Sequence, residues 1–248
     1  MPNTQAETPP GGLAPLPSSY ASSRESLHRL AVYVISPARR AHNPRAIALS
    51  PTAGGFGTAP FGPDATVLRV EGATLVVERS DERLRTPITS LNAAATFAGI
   101  EPDHAQQDAF DVPPHGDLDA PLAIDAAATE RLGDWFALGC ELLEELRAAA
   151  GPDDAPTAVR IWPEHFDAAL ELGPDGARGT FGASPGDRHH PTPYLYASAW
   201  AGTLDDPFWN AEGFNGAWLP YEQLAGVADP AAAGRAFFQA ALEHVRGS

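Results

Sequence analysis

The sequence predicts an α+β fold: antiparallel sheet or sheets flanked by helices, in two similar-sized halves packed as one unit. Three observations predict it. Residues 66–70 and 74–79 are rich in Val, Leu and Thr and are joined through Glu71-Gly72-Ala73, the pattern of an antiparallel hairpin with glycine at its turn. Leu132, Trp135, Phe136, Gly139, Leu142, Leu143 and Leu146 recur at helical spacing behind Asp125, a residue suited to an N-cap. The order helix, antiparallel strands, helix recurs in both halves, which favours α+β over a doubly wound parallel sheet.

Residues 1–24 are polar and rich in Pro, Gly and Ser, and read as a disordered tail. They show no charged n-region and no apolar h-region, so they do not read as a signal peptide. The first half, 25–100, opens with a helical stripe of Leu27, Leu30, Val34 and Ile35, which Pro37 would kink or end. Strand character follows at 46–50 and at 56–61, then comes the hairpin. Pro87 begins a short helix carrying Ile88, Leu91, Ala95 and Phe97, which Gly99 closes.

Residues 101–123 have no periodicity and are rich in Asp, Pro, His and Gln, a long loop or linker between the halves. The second half, 124–248, starts on the Asp125 helix. Residues 158–172 look like one strand, 173–176 a turn, 179–181 a returning strand and 194–200 another strand. Residues 205–221 are irregular and aromatic. Asp229 then caps a last helix with Pro230 at its first position and Phe237, Phe238, Ala241, Leu242 and Val245 on one face. An internal duplication would explain the shared order of the halves, although no residue-level repeat accompanies it.

Composition removes several functions. A net charge of −16 lacks the basic footprint of a nucleic-acid binder and does not suit an anionic membrane surface. No apolar run approaches the roughly 18 residues of a transmembrane helix, and the expected location is the cytoplasm. All 16 basic residues are arginine. Without lysine there is no usual P-loop, no pyridoxal-phosphate Schiff base and no kinase strand lysine. Cys140 is the one cysteine and falls on an apolar helical stripe, as a buried structural thiol would.

Candidate chemistry concentrates between Ile161 and Tyr221, which hold 11 of the 21 aromatic residues. On a continuous strand, His165, Asp167, Ala169 and Glu171 would share one face, with Trp162, Glu164, Phe166 and Leu170 opposite. His165 and Asp167 are thereby the candidate catalytic pair, as acid and base. With Asp187 and His190 they also make a candidate set for a divalent metal, although no spaced zinc motif is present. Tyr194, Tyr196, Trp162 and Trp209 are candidate ligand-binding residues. Gly182-Ala183-Ser184-Pro185-Gly186 matches the nucleophile-elbow pattern, but Pro185 lacks the N–H that the oxyanion hole needs, which removes a serine hydrolase of that type.

Leu27-His28, Pro37-Ala38-Arg39-Arg40, Gly55-Phe56-Gly57-Thr58, Phe166-Asp167 and the aromatic part from Phe214 to Tyr221 carry a resemblance. In these segments and their order the chain resembles a family of uncharacterised proteins common in actinobacteria. The resemblance implies a shared fold from Leu27 onward and no particular reaction, and it favours Asp167 over His165 as the fixed member of the pair.

The expected function is a small-molecule site in the second half, with metal assistance as one form of it. The alternative is a non-catalytic protein–protein interaction module using the aromatic 200–221 segment. A site would gather His165, Asp167 and His190 in one concave pocket. An interaction surface would expose Trp209, Phe214 and Trp218 as a flat apolar patch.

Overall fold

The structure, a computed structural model, describes residues 12–103, 110, 112–201 and 206–247. Helix α1 (Tyr20–Leu30), a π-helical turn (Ala31–Ile35) and α2 (Ser36–Arg40) lead into five strands. These are β1 (Leu49–Thr52), β2 (Gly55–Thr58), β3 (Val67–Glu71), β4 (Thr74–Arg79) and β5 (Glu82–Pro87), followed by α3 (Leu91–Ala98). The second half repeats the plan. Helix α4 (Ala126–Ala148) precedes β6 (Arg160–Trp162), β7 (Asp167–Leu172), β8 (Gly179–Ser184), β9 (Tyr194–Ala199) and β10 (Ala217–Pro220), and α5 (Tyr221–Ala225) and α6 (Pro230–Gly247) close it.

The ten strands form one antiparallel sheet in the order β10-β9-β8-β7-β6-β1-β2-β3-β4-β5. Each half is a five-strand meander, and the halves meet where β1 pairs β6, with Leu49 opposite Ile161. The α+β expectation is thus met by one shared sheet. Among the described residues, no helix is long and apolar enough to cross a membrane.

Helix α4 spans the seam. Its apolar stripe, including Leu132, Phe136, Leu142 and Leu143, is buried in the core. Gly133 lets the helix lie on the backbone of Gly55 in β2, and Gly139 lets it lie on Ala183 in β8. Asp125 caps it as expected, its Oδ1 accepting from the Ala128 N–H at 3.0 Å. At Pro37 the chain does not stop, but winds through the π-helical turn. Proline has no N–H to give the Tyr33 carbonyl one turn back, and that carbonyl accepts from the Asp103 N–H instead at 3.1 Å.

Four expectations need correction. The helix expected from Pro87 begins at Leu91 behind Ser90, its N-cap, and Pro87 ends β5. The tail boundary at residue 24 lies inside α1, and Leu13 and Leu16 already pack on the core; residues 1–11 lie outside the described residues. The strand read over 158–172 is a hairpin, with β6 and β7 antiparallel and Trp162 opposite Asp167. β5 and β10 come from stretches that carry no strand signal. In the linker, 104–109 and 111 lie outside the described residues, as does Asp205 of the aromatic stretch. The described linker residues are fastened to the first half: Tyr33 donates to the Pro113 carbonyl, and Ser26 Oγ accepts from the Ala123 N–H.

The two halves differ on the sheet face turned away from the core. In the first half, Glu71 on β3 takes Arg69, Arg83 and Arg85 at 2.8, 2.6 and 2.7 Å, so the face is filled by ion pairs. Hydrogen bonding from Arg85 above all holds the Glu71 carboxyl below its usual range. In the second half the same face is hollow.

Candidate functional site

That hollow is a cavity of about 1350 Å³ over β6 to β9, bounded by α1, residues 112–114, the β6–β7 turn and the loop after β8. Its position follows from strand alternation. Ala168, Leu170 and Leu172 of β7 are in the core, so Asp167, Ala169 and Glu171 take the other face and line the cavity.

The β6–β7 reversal delivers Asp167 to that face. Phe166, the last residue before β7, adopts φ 54°, a left-handed conformation that costs a bulky side chain about 1–2 kcal/mol. Its burial offsets the cost. The ring stacks on His28 at 4.9 Å and meets Phe56 at 5.1 Å and Phe136 at 5.4 Å, and burying a phenyl side chain is worth about 2–3 kcal/mol. Phe166 enters the core and the next residue, Asp167, points into the cavity.

Asp167 is 6% exposed, and its two oxygens differ. Oδ2 accepts from the Tyr196 hydroxyl, and Oδ1 has no protein partner. Register explains the first contact. Ala169 on β7, Gly182 on β8 and Tyr196 on β9 lie side by side, and Tyr196 crosses the strand between through the space over Gly182. A Cβ at Gly182 would stand 2.4 Å from the Tyr196 ring. Burial raises the Asp167 pKa against the opposing pull of the Tyr196 hydrogen bond and of nearby His165, and Glu164 raises it further. Burial and the Asp167 charge keep the Tyr196 phenol protonated well above its usual range.

A second carboxyl belongs to the same turn. Glu164 is 8% exposed, lines the cavity and has Oε2 buried without a partner. From α1, Arg24 reaches in and donates to the carbonyls of Gly186 and Asp187 at 2.9 and 3.0 Å. These bonds tie the loop after β8 to the helix. Tyr20 adds a bond to the Pro185 carbonyl at 3.1 Å.

His28 faces the turn and has Nε2 3.0 Å from the Pro163 carbonyl, so Nε2 carries the proton. Burial pushes its pKa down to about 3. Between its ordinary 6.5 and about 3, the unfolded chain takes a proton that folded His28 refuses, so stability present above 6.5 is lost as pH falls. The loss is at most about 1.4 kcal/mol per pH unit. His28→Gln, which keeps a donor for Pro163, is expected to flatten this acid limb in urea unfolding. An unchanged slope over that range would count against His28 as its source.

The sequence-predicted residues divide. His165, Asp167, Asp187, His190, Tyr194, Tyr196 and Trp162 all line the cavity. His165 is exposed at its rim, edge-on to Phe110 at 6.1 Å, and no hydrogen bond joins it to Asp167. The partner of Asp167 is Tyr196, because the hairpin places His165 in a turn and not on a strand face. Trp162 shares the Asp167 face, the reverse of the single-strand expectation. Trp209 lies elsewhere, against Phe208 at 5.3 Å and His244 at 6.1 Å beside α6.

The metal set does not assemble. Among the described residues no three His, Cys, Asp or Glu side chains are grouped to hold an ion. Asp187 is occupied with its own loop: Oδ1 accepts from the N–H groups of His189 and His190, and Oδ2 from Tyr194 at 2.7 Å. Desolvation works against these bonds, yet its carboxyl is held below the usual range. Ser184 is buried and accepts from the Gly186 N–H, a structural role that agrees with the exclusion of a serine nucleophile. Cys140 is half-buried, with its thiol pushed up to about 12 by desolvation.

Sequence reasoning missed Glu164, Arg24, His28 and Gly182. Pro163 was the available signal for the first, since proline in a strand interior argues for a break. Among the described residues of the aromatic segment, Trp209, Phe214 and Trp218 are all part-buried, and Trp218 packs on His190 at 4.6 Å and Tyr194 at 5.7 Å. Trp200, 56% exposed, lies under Arg178. Comparison with family models, curated proteins and solved structures finds no match for this chain.

Proposed function

We propose that this is a cytoplasmic small-molecule enzyme whose site is the cavity of the second half, with Asp167 as its proton-exchanging group. The observation that carries the reading is the Asp167 carboxyl, buried at the cavity wall with one oxygen held by Tyr196 and the other without a protein partner. A raised carboxyl pKa in a cavity is the arrangement that general acids and bases need near neutral pH. Tyr196 donates to Oδ2, so the acidic proton resides on Oδ1, the oxygen without a protein partner. Tyr196 thus orients the acid, and the loop bonds from Arg24 hold the wall opposite β7 in place. His165 at the rim is the accessory group of the pair expected from sequence.

The test is a screen of polar small molecules by ligand-observed NMR against the wild type and Ala169→Phe. Ala169 lines the cavity between Asp167 and Glu171, and a phenyl group there would fill it. Ligands are expected to bind the wild type and to lose binding in the variant, with both proteins folded by circular dichroism. Ligands that bind both equally would place the site elsewhere, and a screen without ligands would remove the reading.

A further inference from the structure

We infer that the ligand of this cavity carries a protonated amine, held between Asp167 and Glu164. The inference rests on the cavity being a small-molecule site and names the ligand class. Its basis is selective. Among the described residues, the buried carboxylate oxygens without a partner are Glu164 Oε2 and Asp167 Oδ1, and both residues line this one cavity. They stand at the two ends of the β6–β7 turn, 8% and 6% exposed.

Elsewhere the fold does satisfy a buried carboxylate. Asp154, 4% exposed, takes Arg246 and the Gly151 N–H on Oδ2, each at 2.6 Å. Buried acceptors left open cost stability, and at Glu164 and Asp167 nothing from the protein fills them. Once Asp167 has given up its proton both groups are acceptor-only carboxylates, and the group that suits them is one with several donors, no acceptor and a positive charge. An ammonium has three donors and no acceptor, whereas a hydroxyl has one donor and an anion has none. Two carboxylates without a third ligand of that kind suit an ammonium better than a metal ion.

The surroundings agree. Trp162, Tyr196 and Phe214 line the cavity and offer aromatic surface to a hydrocarbon body next to a cation. Arg24 lines it too, with both terminal nitrogens engaged by the Gly186 and Asp187 carbonyls and Nε buried without a partner. A net charge of −16 draws cations toward the protein and repels anions.

Benzylamine, benzyl alcohol and benzoate share a body and differ in head group, and titration calorimetry at neutral pH separates them. Benzylamine is expected to bind the wild type about tenfold tighter than benzyl alcohol, with benzoate weakest. In Asp167→Asn and in Glu164→Gln that preference is expected to fall below about threefold. Binding of all three should disappear in Ala169→Phe. If benzyl alcohol binds in an Ala169-dependent way as tightly as benzylamine, the cavity stands as a site and the amine inference falls. A preference for benzylamine that survives in both carboxyl variants also overturns it. If none of the three binds, the site reading and the amine inference fall together.

Discussion

Gly133→Ala is expected to lower the stability of the fold by about 3 kcal/mol, a Tm loss of roughly 6–12 °C, although alanine is the better helix former. In an open helix position the change would gain about 1 kcal/mol. Here the new Cβ would stand 2.6 Å from the Gly55 nitrogen and 3.0 Å from its Cα. Both partners are backbone, so no rotamer change relieves the contact. Either α4 lifts from the sheet or β2 shifts, and either movement opens the core that joins the halves. Helical glycines give a graded control. Gly139→Ala would meet the Ala183 Cβ at 2.4 Å, a side-chain atom on a strand. Gly234→Ala would meet the Leu142 Cδ1 at 2.6 Å, the end of a side chain that can rotate. Gly247, with nothing within 4 Å, should accept alanine without loss. Gly133→Ala and Gly139→Ala, whose contacts no rotamer change relieves, are expected to do the most damage, then Gly234→Ala, then Gly247→Ala. A thermal melt in which Gly133→Ala equals Gly247→Ala would contradict the close seating of α4 on the seam.

Asp167→Asn is expected to stabilise the protein at pH 8, by on the order of 1–2 kcal/mol or about 2–8 °C, while removing its ability to exchange a proton. The direction follows from linkage. Burial raises the folded pKa of Asp167 above its unfolded value, so its favourable contribution is complete below the unfolded value and is lost as pH rises through the folded one. At pH 8 the wild type therefore bears the cost of a buried charge, with Oδ1 unpartnered, and asparagine does not. The amide oxygen can still accept from Tyr196. The gain should shrink toward zero as the pH falls below the ordinary value of 3.8, where the wild-type carboxyl is protonated in both states. Paired melts across that range check it. A variant less stable than the wild type at pH 8 would mean that the carboxylate is a structural anion.

The elements legible in the sequence are those with a local signature. Gly72 marks the β3–β4 turn with φ 57°, Asp125 caps α4, and Asp229 caps α6 by accepting from the Ala232 N–H at 2.8 Å. β5 was not legible because Glu82–Pro87 has no apolar face. Its place on β4 comes from pairs such as Val76 with Arg85, together with the arginine contacts to Glu71. The break between β6 and β7 was masked for another reason. Trp162, Phe166 and Leu170 fall on even positions and the polar His165, Asp167 and Glu171 on odd ones, as on a half-buried strand, and the reversal uses Phe166 where a turn would normally show glycine or asparagine.

The site was half legible. Asp167, Tyr194 and Tyr196 could be named from residue type and position, but their relation could not. Tyr196 reaches Asp167 only because the β7-β8-β9 register places Gly182 between them, and register is a property of pairing across long separations. His165 was paired with Asp167 by proximity in sequence, which the turn undoes. Arg24 and His28 belong to a helix about 140 residues earlier, and only packing brings them to the cavity.

The Asp167 carboxyl carbon, followed by ¹³C NMR as pH is varied in the full chain and assigned by its loss in Asp167→Asn, tests the proton-exchange role most directly. Titration well above the ordinary carboxylate range is the expected result. Titration at or below that range would contradict it, since a carboxylate ionised as readily as one in water cannot hold a proton for a ligand near neutral pH.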